Sequence, residues 1–111
     1  MNVGQTIAVI ALLSQMYLNG DPLMSCLVKA ESGYDMRAVN GIHTSGPQWN
    51  RKTFMWLAEK AIADPTFAHR EYVAEHMTPD DDLSSLFVMA WAIKNGYGSH
   101  WATYRGCGGE G

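Results

Sequence analysis

A mainly α domain of five to six helices with one small β-hairpin or irregular lobe is predicted by three observations. Apolar residues recur at helical spacing in several segments. Most of those segments are bounded by a capping residue or a breaker. One stretch alone, Asp35 to Trp49, loses the helical period and collects turn formers. At 111 residues, 47% apolar and 17% charged, the chain is an ordinary globular sequence, long enough for one core and too short for two. It is read as a single domain over 1–111, with a flexible tail from Gly108.

In chain order, the first helix is expected over about Gln5 to Leu18, stopped by Asn19-Gly20. Its apolar run from Ile7 to Leu13 is too short to span a bilayer. It lacks the basic flank and small-residue cleavage site of a signal peptide, since Lys29 is the first lysine, so it reads as a globular helix. The second helix runs from about Pro22 to Ser32: Asp21 caps it, Pro22 suits its first position and Gly33 is a natural left-handed stop. In the lobe that follows, Asn40-Gly41 signals a two-residue hairpin and Ser45-Gly46-Pro47 a second turn. Asn50 can cap a helix from Arg51 to Ala63, with Phe54, Leu57, Ala58, Ala61 and Ile62 on one face. Asp64-Pro65 breaks it. A more polar helix is expected over Pro65 to His76, and a loop over Thr78 to Asp82. The helix from Asp82 to Asn95 is apolar over most of its surface and should be central. Gly96 ends it, and Ser99 can cap a short last helix through Arg105.

The second helix carries the candidate chemistry. Leu23, Met24, Cys26, Leu27, Val28 and Ala30 form its apolar face, and Glu31 falls within that face, one turn on from Leu27. Glu31 also lies in the last turn, where the helix dipole disfavours negative charge. Desolvation and dipole both oppose the ionised form, the condition under which a carboxylic acid keeps its proton for general-acid work. The plainer alternative is a glutamate whose stem lies on the core edge while its head reaches water or a basic partner.

The net charge of -3 and the absence of a Lys/Arg cluster argue against a nucleic-acid footprint and against unaided adhesion to anionic polymers or membranes. The two cysteines, Cys26 and Cys107, are 81 positions apart. That spacing suits a clip tying the C-terminus to the core, worth at most roughly 4 kcal/mol by loop entropy and implying an oxidising destination. Two buried free thiols are the alternative. The four histidines are dispersed, with no His-Glu-x-x-His run and no cysteine pair at zinc spacing, so no metal and no cofactor is expected.

The segment CLVKAESGYDMRAVNGIHTSG, Cys26 to Gly46, resembles the Glu-Ser-Gly segment of lysozyme-like muralytic domains: soluble lytic transglycosylases, goose-type lysozymes and phage tail-associated lysozymes. The likeness continues more weakly to WAIKNGYGSHW, Trp91 to Trp101, and so covers about Asp21 to Cys107. It implies a lysozyme-like fold in which the lobe forms one wall of a cleft, with Glu31 as the catalytic acid and a Cys26–Cys107 clip. It further implies cleavage of the β-1,4 bond between N-acetylmuramic acid and N-acetylglucosamine in peptidoglycan. By the same resemblance Gln48 would contact substrate, and Ser45 is either a hydroxyl that reaches Glu31 or the sugar or simply a turn former. Aromatic rings stack on sugars but more often pack in cores, and of these Trp49 and Tyr97 are read as substrate contacts and Trp56, Trp91 and Trp101 as packing. Where those families have Gly-Leu-Phe-Gln or Gly-Leu-Met-Gln, this chain has Gly46-Pro47-Gln48-Trp49, so either a residue is missing or Trp49 stands in the Gln position.

The resemblance leaves hydrolysis and transglycosylation open. Asp35, the nearest second carboxylate, is more simply a solvated loop residue. The expected setting is a virion, periplasm or cell exterior, with glycan strands and other assembly proteins as partners. The rival reading is a structural or glycan-binding component without turnover.

Overall fold

The computed structural model describes residues 26, 27, 29, 31, 39–44, 47–101 and 105–107. The helix expected over 5–18, Asp35, Ser45 and the tail from Gly108 lie outside the described residues. What is described is mainly helical with one small sheet. Residues 26, 27, 29 and 31 are helical. Three two-residue strands follow: β1 (Val39–Asn40), β2 (His43–Thr44) and β3 (Trp49–Asn50). Then come α1 (Arg51–Ile62), α2 (Arg70–Glu75) and α3 (Asp82–Lys94), with 3-10 turns at Gly98–His100 and Arg105–Cys107. No helix among the described residues is long and apolar enough to cross a membrane.

The strands form an antiparallel sheet in the order β1-β2-β3. Its first turn corrects the expected hairpin register by one residue: Asn40 pairs with His43, so the loop is Gly41-Ile42 and not Asn40-Gly41. Only Gly41 takes a positive φ, of 63°. A type I′ turn needs positive φ at both positions, which β-branched Ile42 resists, whereas a type II′ turn places glycine first.

Trp49 fastens the sheet to the helices. Its ring is 2% exposed and meets Phe54 and Trp101 edge-on, at centroid distances of 5.3 and 4.9 Å. Its indole N–H donates to the Ser85 carbonyl on α3 at 3.1 Å, and the Trp101 indole donates to the Pro47 carbonyl at 2.9 Å. A second tie runs along the outside, where Arg51 Nη2 holds both carboxylate oxygens of Asp80 at 2.8–2.9 Å and Thr44 Oγ1 donates to the same group. The guanidinium beside it keeps the Asp80 carboxyl below its ordinary range.

Asn50 caps α1 as expected, accepting from the backbone of Lys52 and Thr53, and Phe54, Leu57, Ala58 and Ala61 are buried. Asp81 caps α3 through Ser84 N and also accepts the Tyr72 hydroxyl, so one carboxylate orients both α2 and α3. The helix expected from Pro65 begins only at Arg70. Asp64 Oδ1 takes both the backbone N–H and the hydroxyl of Thr66, which offers the chain a local turn in place of a helical first turn. Of the last expected helix, the described residues show 3-10 turns at Gly98–His100 and Arg105–Cys107, with Trp101 extended at φ -99°, ψ 119°.

Cys26 and Cys107 are disulfide-bonded across a Cα separation of 5.6 Å. The bond joins the Glu31-bearing segment to the far end of the chain, and bonds of this kind persist in oxidising compartments.

Candidate active site

Glu31 is helical and half-buried. Leu27, one turn earlier, is fully buried, whereas Lys29 is exposed, so the stripe that Leu27 and Glu31 share is the one turned toward the core. The disulfide at Cys26 anchors the same segment five positions before the carboxylate.

Gln48 is the only described non-glycine residue with positive φ, at 56°. A left-handed residue immediately before a strand stores backbone strain that the surrounding structure must hold in place, and such residues concentrate at functional sites. Gln48 is half-buried and borders a hollow of about 220 Å³ with His43, Asn50, Thr53 and His100, above Trp49 and Trp101. The ring contact expected between Trp49 and substrate is not available. Its aromatic surface is enclosed by Phe54 and Trp101, because the alternation of β3 turns it toward the core.

Tyr97 is half-buried and does not border the Gln48 hollow. It lines a neighbouring one of about 410 Å³ with Lys60, Asp64, Trp91 and Asn95. His100 connects the two, since it borders the Gln48 hollow and its ring lies 6.3 Å from that of Tyr97. The structure therefore places Gln48 and Tyr97 on one continuous surface, bridged by a histidine to which the sequence assigns no role.

Trp91 and Trp101 pack, at 8% and 5% exposure. Trp56, expected to pack with them, is instead 43% exposed. Its ring meets Tyr97 at 5.4 Å and His100 at 5.8 Å, and the Lys60 ammonium lies 5.0 Å over its face. A helical wheel carries the signal that finds it. Trp56 falls on the side of α1 opposite Phe54, Leu57, Ala58 and Ala61.

The arrangement suits a ligand that presents both apolar faces and hydroxyls. Aromatic edges, two imidazoles and side-chain amides line the surface, and a half-buried carboxylate sits on the disulfide-anchored helix. Among the described residues, no group of three His, Cys, Asp or Glu side chains could hold a metal ion. Comparison with protein-family models, with curated proteins and with solved structures finds no match.

Proposed function

We propose that the protein is a peptidoglycan-cleaving glycosidase, a lytic transglycosylase or muramidase acting on the β-1,4 bond between N-acetylmuramic acid and N-acetylglucosamine. The observation that carries the reading is Glu31, a half-buried carboxylate on the core-facing stripe of a disulfide-anchored helix, followed in sequence by a three-stranded sheet. The motif likeness from Cys26 to Gly46 supports it, and the strained Gln48 stands where that motif expects a substrate contact.

In this mechanism the Glu31 carboxylic acid gives its proton to the glycosidic oxygen as the C1–O bond breaks. The positive charge developing at C1 is taken up by the carbonyl oxygen of the substrate's own 2-acetamido group, so no carboxylate nucleophile is required. The Glu31 carboxylate then removes a proton from water or from the sugar's 6-hydroxyl as that oxygen bonds to C1. The first route yields a reducing end and the second a 1,6-anhydro ring. The oxidised cysteine pair suits a protein that works in the periplasm, at the cell exterior or from a virion.

Digestion of purified peptidoglycan by the protein and by Glu31→Gln, with products weighed by mass spectrometry, tests the reading. Anhydro-muropeptides or reducing-end products that vanish in the variant are the expected result. Absence of products from both folded proteins overturns it and leaves a glycan-binding structural component.

A further inference from the structure

Exposed apolar side chains gather on one side of the molecule. Among the described residues the large hydrophobic side chains left exposed are Val39, Ile42, Met55 and Trp56. The first two belong to the β1–β2 hairpin and the last two to the solvent face of α1. They are joined at the start of α1, where Val39 and Ile42 line a hollow of about 530 Å³ with His43, Arg51 and Lys52, one turn before Met55 and Trp56. None of Glu31, Gln48 and Tyr97 lines that hollow.

Neither the hairpin nor the helix accounts for these residues by itself. A hairpin tip ordinarily carries Gly, Asn or Asp, yet Ile42 stands in this one at 71% exposure. Lys52 lies in the first turn of α1 and Glu59 in the last, each where the helix dipole disfavours its charge. Two turns apart, they do not reach each other, and neither has an ion-pair partner among the described residues. Thr44 and Arg51 share the Asp80 carboxylate, which ties the hairpin to α1 and presents the face as one unit.

The order of side chains along this face is self-complementary. Lys52, Met55, Trp56 and Glu59 recur at i, i+3, i+4 and i+7 and form one stripe opposite Phe54, Leu57, Ala58 and Ala61. Lys52 stands three positions before Met55, and Glu59 three positions after Trp56. A two-fold axis crossing the stripe between Met55 and Trp56 therefore sets basic against acidic at both ends and apolar against apolar in the middle. A lipid surface would leave Glu59 without a role, and an acidic partner would be repelled by it.

We propose that this face binds a second copy of the chain, in a two-fold dimer formed by antiparallel pairing of α1 with α1. Met55 and Trp56 meet their counterparts at the axis, and Lys52 pairs with Glu59 of the second copy at each end. The same operation brings the last turn of the second α1, with its exposed Ala63, over the hollow between hairpin and helix. Val39 and Ile42 meet it there, and the described lining of the hollow includes His43, Arg51 and Lys52 but no carboxylate to oppose Glu59. A 12-residue helix spans about 18 Å, so the contact is small and the dimer weak, with a dissociation constant on the order of 100 μM. The inference does not depend on the glycosidase reading.

Sedimentation velocity of the full chain from about 5 to 500 μM tests it, and should show monomer passing to dimer with nothing larger, because a two-fold contact closes on itself. Lys52→Glu and Glu59→Lys each set like charges against one another at both ends of the stripe and should raise the dissociation constant at least about tenfold. The double variant restores opposite charges, in exchanged order, and should return the constant to near its original value. Both positions are exposed and both changes relieve the conflict with the helix dipole, so the helical circular dichroism of all three variants should match the parent. Monomer at every concentration, assembly beyond the dimer, a dimer indifferent to the single reversals, or a double variant that stays monomeric each overturns the proposal.

Discussion

Helix α3 buries nine of its 13 residues, Ser84 and Ser85 included, whereas α1, with 12, buries four. The two pack against each other, and α2 packs against both. The central helix thus has almost no surface left for chemistry except at its C-terminal end. Helix α1 keeps one face in the core and gives the other to Trp56, Lys60 and Thr53, beside the Tyr97–His100 turn. The difference shows how a domain of this size divides its work. One helix is occupied on all sides by packing, and its half-wet neighbour carries the groups that a ligand can meet.

Truncation should expose that division most strongly. Leu86→Ala in α3 removes a fully buried side chain and should lower unfolding stability by about 2–5 kcal/mol. Met55→Ala in α1, at a position 37% exposed, should stay within about 0.5 kcal/mol by the same denaturant titration. Equal losses at the two sites would mean that α1 is as enclosed as α3.

Loss of the disulfide should come next. Cys26→Ser with Cys107→Ser should lower stability by about 2–4 kcal/mol, read as a drop in thermal midpoint. Because the bond anchors the Glu31 segment and neither α1 nor α3, the glycan cleavage proposed for Glu31 should decline at temperatures where the far-ultraviolet helical signal is still intact.

The two caps offer a sharper comparison. Asn50→Ala removes one capping oxygen from α1 and should cost about 1 kcal/mol. Asp81→Ala removes the α3 cap and also leaves the Tyr72 hydroxyl without its acceptor, so its loss should exceed that of Asn50→Ala, at about 2 kcal/mol. Tyr72→Phe should abolish the excess and leave the cap intact.

The smallest effect is in pH. The His69 ring stacks on Phe87 of α3 at 3.8 Å, and burial pushes its imidazole below the ordinary value of 6.5. The unfolded chain therefore binds the proton more readily. His69 contributes its full share above pH about 6.5, and that share is lost as pH falls toward its folded value. Asp80 and Asp64 follow the same direction at lower pH: their contributions are complete above the ordinary value of 3.8 and disappear as pH falls through their depressed folded values. Stability measured against pH should show a shallow decline below 6.5 that is absent in His69→Gln, then a steeper one below 4.

Local signals were enough for the two long helices. Asn50 is a local cap signal, the acidic run Asp80-Asp81-Asp82 favours a helix start, and the apolar spacing of the residues after them sets which faces can be buried. With only two cysteines, the partners of any disulfide were also determined, although not its formation. The placement of Glu31 on the buried stripe follows from its spacing to Leu27.

The tertiary structure decided what encloses Trp49, whereas the exposure of Trp56 was already present in the helical spacing of α1. Trp49 and Trp56 are equally apolar and seven positions apart. The first sits on a strand that faces Phe54 and Trp101, and the second lies opposite the packed face of α1. The hairpin register, the shortening of α2 by the Asp64–Thr66 turn and the joining of Gln48 to Tyr97 through His100 were likewise settled at that level. Each depends on which distant surface fills the space beside a residue. Burial and side-chain contact are properties of pairs far apart in the chain, and a local pattern carries no information about the partner.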